Sequence, residues 1–129
     1  MSAISAPLPE NAPVLLVDDN QAVLDGLSEL LRLAGLFVAS CRTFAEAKAF
    51  ALTNTVRALV TDVRLGDHNG LHLIQIVRFS QPRARLVAFS GHDDPVLKRD
   101  AESLGATFLL KPLDIASLVA AISEESRTR

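Results

Sequence analysis

The chain has a single cysteine, Cys41, and neither tryptophan nor tyrosine, so its aromatic content is six phenylalanines in 129 residues. One thiol closes no disulfide within the chain, so the fold must be held by burial, and a lone unpaired thiol suits a reducing compartment. Basic excess is missing too: 13 Lys and Arg stand against 15 Asp and Glu, for a formal charge of −2. The cations are scattered, which argues against the basic stripe that a phosphate backbone requires and so against direct nucleic-acid binding. No apolar run approaches the ~18–20 residues that span a bilayer. The opening residues Met1, Ser2, Ala3, Ile4 and Ser5 carry neither a basic region nor an apolar one of the secretory kind. These absences together predict a cytoplasmic protein without a membrane partner.

What is present is 49% hydrophobic residues with 22% charged ones, the composition of a compact domain rather than a disordered chain. The length fits one domain of the usual ~100–150 residues, and a chain of this size buries roughly two-thirds of its unfolded surface without a structural metal. Residues 1–12, with Pro7, Pro9, Glu10 and Asn11, read as a flexible lead-in, 13–123 as the domain, and 124–129 as a polar tail.

Short apolar runs alternate with helix-period segments. Runs at 14–17, 36–39, 58–61, 86–89 and 108–110 are uniformly apolar or nearly so, as strands covered on both faces should be. Between them Val23, Leu27, Leu30, Leu31 and Ala34 give a first helical stripe stopped by Gly35. Thr43 opens a second helix around Ala47, Phe50 and Ala51. A third carries Leu71, Ile74 and Val77 and stops near Pro82; a fourth carries Leu97, Ala101 and Leu104 and ends at Gly105. The fifth has Ile115, Leu118, Val119 and Ile122, with Asp114 as its N-cap. Five βα units in succession predict a parallel sheet with helices on both faces, an open doubly wound α/β sandwich; a closed barrel needs eight units.

In such a sheet, ligands sit beyond the carboxyl ends of the strands. The first strand ends in Asp18 and Asp19, the third in Asp62, the fourth in Ser90 and Gly91, and the fifth in Lys111 and Pro112. Three carboxylates, a hydroxyl and an ammonium converge there from distant parts of the chain. Crowded carboxylates need a cation or a proton. A hard divalent ion such as Mg²⁺ (or Mn²⁺) accepts oxygen ligands and retains sites for phosphoryl oxygens. With that ion and Lys111 the charge sum is neutral, a composition suited to phosphoryl transfer.

On these residues the chain resembles the receiver domain of two-component response regulators over nearly all of 13–123, with Asp18, Asp19, Asp62, Ser90, Lys111 and Pro112 in the family's order and spacing. Segments 62–65 and 89–94 look most like receivers of transcription regulators that carry a separate helix-turn-helix domain. The resemblance implies a flavodoxin-like (βα)5 fold of strand order 2-1-3-4-5. It implies Asp62 as phosphoacceptor from a sensor histidine kinase or histidine phosphotransfer protein, and Asp18, Asp19, Asp62 and the Arg64 carbonyl as metal ligands. It implies Ser90 and Lys111 as phosphoryl-binding groups, Ser90 and Phe108 as the switch pair, Arg64 and His92 as residues that tune hydrolysis, and a cis Lys111–Pro112 peptide. It further implies a phosphoacceptor rather than an enzyme, monomeric or dimerising on phosphorylation. Its output would pass to a downstream protein through the face of the fourth helix, fifth strand and fifth helix. The family usually has Thr where Ser90 stands, Pro where Gly66 stands and often Tyr where Phe108 stands, so the loop after Asp62 is expected to be more mobile here.

The same residues admit other readings. Asp18 and Asp19 could merely cap the first helix. Cys41, His68 and His72 could suggest zinc, but a loop and a helix start offer no fixed ligand face. Ser90, His92 and Asp93 sit on one loop, which disfavours a hydrolase triad, and Arg78, Arg83 and Arg85 read as a solvated rim. A nucleotide enzyme would want a phosphate-cradling loop after the first strand, and an acid-aspartate phosphatase a second Asp where Arg64 stands. The functional alternatives are a phosphorylation-independent adaptor and a receiver piece of a larger DNA-binding regulator.

Overall fold

A computed structural model describes residues 7–123; the tail expected over 124–129 and the first half of the lead-in lie outside the described residues. Strand β1 (Val14–Val17) is buried along its whole length and is followed by α1 (Gln21–Leu33), β2 (Val38–Cys41) and α2 (Phe44–Thr53). Then come β3 (Ala58–Asp62), a two-residue pair β4 (Arg64–Leu65) and β5 (His68–Asn69), and α3 (Gly70–Ser80). The chain closes with β6 (Arg85–Ser90), α4 (Pro95–Ser103), β7 (Thr107–Leu110) and α5 (Ile115–Ser123).

The main sheet runs β2-β1-β3-β6-β7 with every pairing parallel. Because the small β4–β5 pair takes two numbers, this is the expected order 2-1-3-4-5. Successive side chains of a strand point to opposite faces, so Leu15, Val17 and Leu59 face the core with Ala47, Ile74 and Ala101 of α2, α3 and α4. Val14, Leu16 and Val60 face the other core with Leu24, Leu31, Leu118 and Ile122 of α1 and α5. Two hydrophobic layers on one sheet make the three-layer sandwich.

One local expectation is corrected. The second strand begins two residues later than the apolar run at 36–39 suggests. Gly35, at φ +91°, donates to the Arg32 carbonyl, and Leu36 N–H donates to that of Leu31. That double bond is a Schellman ending of α1, so Leu36 is spent on the cap. As β2 is a sheet edge, Ser40 and Cys41 can occupy strand positions. After Asp62, Arg64 pairs with Asn69 and Leu65 with His68 in an antiparallel hairpin.

Arg57 organises residues ahead of β1. Its Nε donates to the Ala12 carbonyl and its Nη2 to those of Pro9 and Glu10. Asp114 takes the Leu118 N–H on its carbonyl at the start of α5, and its carboxylate accepts the Ser117 hydroxyl. Among the described residues, no helix is long and apolar enough to cross a membrane.

Candidate functional site

β1 pairs with β2 on one side and β3 on the other, so the crossover direction reverses between β1 and β3. That reversal opens a crevice at the carboxyl ends of these strands. The residues that leave the sheet there are Asp18, directly after β1, and Asp62, the last residue of β3. Asp18 is fully buried, Asp62 is 7% exposed and Asp19 lies at the surface. One carboxylate oxygen from each of the three lies within 4.8 Å of the others.

Neither Asp18 nor Asp19 is the N-cap of α1. Asn20 fills that role, its side chain accepting from Val23 N–H. Asp18 Oδ1 accepts the Asn20 N–H at 2.9 Å, and Asp62 Oδ1 accepts the Arg64 N–H at 3.0 Å. Lys111, past the end of β7, sends its ammonium back into the crevice. Its Nζ donates to Asp62 Oδ2 at 2.9 Å and lies 3.2 Å from Asp18 Oδ2 and 5.3 Å from the Phe89 ring centroid. The Lys111–Pro112 peptide is cis.

These contacts leave a charge deficit. Burial raises the Asp18 pKa above its ordinary 3.8, and the Asp62 charge adds to the rise; the Asn20 N–H and Lys111 oppose it without prevailing. Lys111 is partly buried, which by itself lowers its pKa, but the bond to Asp62 and the charges of Asp62 and Asp18 outweigh that and hold it above 10.5. Asp18 Oδ2 is buried and, although Lys111 is at ion-pair distance, no donor of the described residues meets it in hydrogen-bond geometry. A buried carboxylate oxygen whose one partner is an ion-pair contact without hydrogen-bond geometry, in an all-oxygen donor set, fits a hard divalent cation.

The family model "Response regulator receiver domain" matches residues 14–123. The chain belongs to that family. Among its relatives is the transcriptional regulatory protein FixJ of Azorhizobium caulinodans, 34% identical over 116 residues, which cover 89% of this chain and 55% of FixJ. Another is the photosynthetic apparatus regulatory protein RegA of Cereibacter sphaeroides, 33% identical over 102 residues, 78% of this chain and 55% of RegA. This receiver thus spans about half the length of the curated relatives it matches. Among solved structures, a response regulator from Burkholderia pseudomallei with a phosphorylated aspartic acid, calcium ion and citrate superposes with a TM-score of 0.81 at 28% identity, covering 87% of this chain and 66% of that one. A receiver domain from Methanospirillum hungatei JF-1, at 23% identity and TM-score 0.82, matches 88% of this chain and 92% of its own and shares the fold.

The remaining expected site residues lie on β6, β7, the loop after β6 and the hairpin after β3. Ser90 ends β6, is 1% exposed, and accepts the His92 main-chain N–H on its hydroxyl at 3.0 Å; its carbonyl accepts the Lys111 N–H. Phe108 is half-buried in β7, directly across from Ala88 of β6. Arg64 and His92 are exposed. Cys41, His68 and His72 do not assemble as ligands: among the described residues, the acidic trio is the one group able to hold a metal. The two histidines instead pack on the Phe44 ring.

Several contributors carry little sequence signal. Arg42 donates from Nη2 to the Asp19 carbonyl at 3.2 Å, and the Gly66 N–H donates to Asp19 Oδ2 at 3.3 Å. Gly70 abuts Asp62 so closely that an added Cβ would collide with the Asp62 carbonyl oxygen and come within 3.0 Å of its carbon. A glycine just ahead of an apolar helical stripe is the one hint available for Gly70.

Proposed function

We propose that this receiver accepts a phosphoryl group on Asp62, from a histidine kinase or a histidine phosphotransfer protein, and passes the change to a protein partner. The observation that carries this reading is the convergence of three carboxylate oxygens within 4.8 Å with the Lys111 ammonium bonded to Asp62. Asp18, Asp19, Asp62 and the Arg64 carbonyl would hold Mg²⁺ or Mn²⁺. When bound, the cation supplies charge neutralisation for the incoming phosphoryl oxygens.

The protein's own groups do the rest. An Asp62 carboxylate oxygen attacks phosphorus in line; the P–N bond to the donor imidazole, or the P–O bond of a small acyl phosphate, breaks and its electron pair leaves with the donor. Lys111, held charged by its carboxylate neighbours, pairs with the phosphoryl oxygens that replace the lost Asp62 charge. The Ser90 hydroxyl is one strand away, at the end of β6 beside β3, and donates to a phosphoryl oxygen by turning from its present partner. Movement of the β6–α4 loop that carries Ser90 frees space toward which the Phe108 ring can turn, changing the α4–β7–α5 face. Arg64 and His92, exposed beside the site, set how fast water reaches the phosphoryl group. Oligomeric state follows that face: the protein is a monomer throughout or a dimer that forms on phosphorylation.

Incubation with Mg²⁺ and acetyl phosphate followed by mass spectrometry tests the reading. One phosphoryl group is expected on the wild type and none on Asp62→Asn; equal labelling of the two refutes it, and a wild type that never labels leaves the adaptor reading. A second reading is favoured by the length comparison. A relative of which the match covers 55% is named a transcriptional regulatory protein, and the same phosphorylation would serve as the input part of such a regulator.

A further inference from the structure

We infer that the β4–β5 hairpin is a clasp that presets the cation seat, fixing the Asp19 carboxylate and the Arg64 carbonyl before any cation binds; the inference rests on the reading of the site given above. Gly66 and Asp67 are the two residues between the paired Arg64–Leu65 and His68–Asn69. Gly66 has φ +61°, and Asp67 has no positive φ. That sign pattern, with glycine first, belongs to the II′ turn favoured in two-residue hairpins. Proline, common here in the family, fixes φ near −65° and has no N–H. It would forbid both this turn and the bond from Gly66 N–H to Asp19 Oδ2. The glycine standing in proline's place here organises the turn.

The hairpin is held from outside as well. Leu65 is buried in the same core cluster as Phe44. The His68 ring stacks on Phe44 with centroids 4.7 Å apart and planes 9° from parallel, and His72 packs on the same ring at 5.5 Å. Phe44 is the first residue of α2, whose N-cap Thr43 accepts the Glu46 N–H. The neighbouring Arg42 donates its N–H to Glu46 Oε1 and its guanidinium to the Asp19 carbonyl. One corner of α2 therefore grips both loops that reach the seat, the β1–α1 loop through Arg42 and the hairpin through Phe44. Gly66 ties those loops to each other. Asp19 is exposed, and a free surface carboxylate loses rotamer freedom when it ligates; a clasp that has already fixed it removes that cost. His68, Phe44 and Gly66 are in this sense positioning residues.

The test titrates Mn²⁺ into the 129-residue protein, reading free ion by electron paramagnetic resonance, for wild type, His68→Ala, His68→Phe and Gly66→Pro. His68→Ala and Gly66→Pro should raise Kd about fivefold, the size of one lost hydrogen bond. His68→Phe keeps a ring to stack and should bind as the wild type does. At saturating Mg²⁺, acetyl phosphate labelling of His68→Ala should return to the wild-type rate, because the seat is weakened and the acceptor is not. Wild-type affinity in both His68→Ala and Gly66→Pro, or no rescue by His68→Phe, overturns the clasp alone. A wild type that takes up no Mn²⁺ overturns the functional reading and the clasp with it.

Discussion

Asp18 takes its chemistry from its position more than from its type. Burial raises its pKa above the 3.8 of an unfolded chain. In the cation-free protein the folded state therefore binds more protons than the unfolded one at pH values above 3.8, and this group's contribution to stability falls as pH rises through its folded pKa. Lys111 has the complementary sign: held above 10.5, its contribution is fully present below that value and lost as pH rises through the folded pKa. At neutral pH, then, the lysine supports the fold and the buried carboxylate opposes it. Asp18→Asn should accordingly raise the melting temperature of the cation-free protein at pH 7 by a few degrees, with the gain shrinking toward pH 3.8. Adding Mg²⁺ should reverse the order, since only the wild type keeps its ligand. Scanning calorimetry at several pH values checks this, and a pH-independent difference would contradict it.

Between elements, one side chain joins the ends of three. Gln81, the C-cap of α3, donates from Nε2 to the carbonyls of Ala51 at 2.6 Å and Asn54 at 2.8 Å, and its Oε1 accepts the Val56 N–H at 2.8 Å. It thereby closes the end of α2 and guides the chain into β3, the strand that delivers Asp62. Gln81→Ala leaves a main-chain N–H of the buried Val56 unmatched, and urea unfolding should show a loss of about 1–3 kcal/mol at constant m value. Phosphorylation at saturating Mg²⁺ should be unchanged, because the bonds lie at the opposite end of the sheet. Gly70 is the converse case, at the end of β3 that carries the site. A Cβ there meets the Asp62 main chain, so Gly70→Ala must push α3 away from β3. A stability cost of about 1–3 kcal/mol for the overpacked contact should come with slower labelling of Asp62, a pairing that Gln81→Ala does not produce.

Over the whole molecule, the carboxylates gather at one end of the sheet while hydrophobic layers fill both its faces. A cation bound at that end would therefore be local in origin and global in effect on stability. A cation that binds only the folded chain should stabilise it by RT ln(1 + [L]/Kd), about 2.7 kcal/mol at a hundredfold excess over Kd. Mg²⁺ should raise the melting temperature where NaCl of equal ionic strength does not, and Asp18→Asn should lose the effect. The half-buried Phe108 and the exposed Val96 and Leu110 leave an apolar component on the α4–β7–α5 side. Addition of beryllofluoride with Mg²⁺ should move amide resonances there and at Ser90, and leave those around Gln81 in place.

The alternation of apolar runs with helical stripes was enough to give five βα units and a doubly wound sheet, because strands buried on both faces and amphipathic helices have different periods. Strand ends in such a sheet share one rim, so Asp18, Asp62 and Lys111 could be placed together from their positions along the chain. Edge strand β2 starts two residues after its apolar run because a helix cap consumes Leu36, a bond that apolarity does not record. The hairpin after Asp62, the Arg42 grip on Asp19, the histidine pair on Phe44 and the contact of Gly70 with Asp62 were decided in three dimensions. Each depends on which loop ends up beside which, and one-dimensional periodicity carries no information about neighbours that meet only after the sheet has formed.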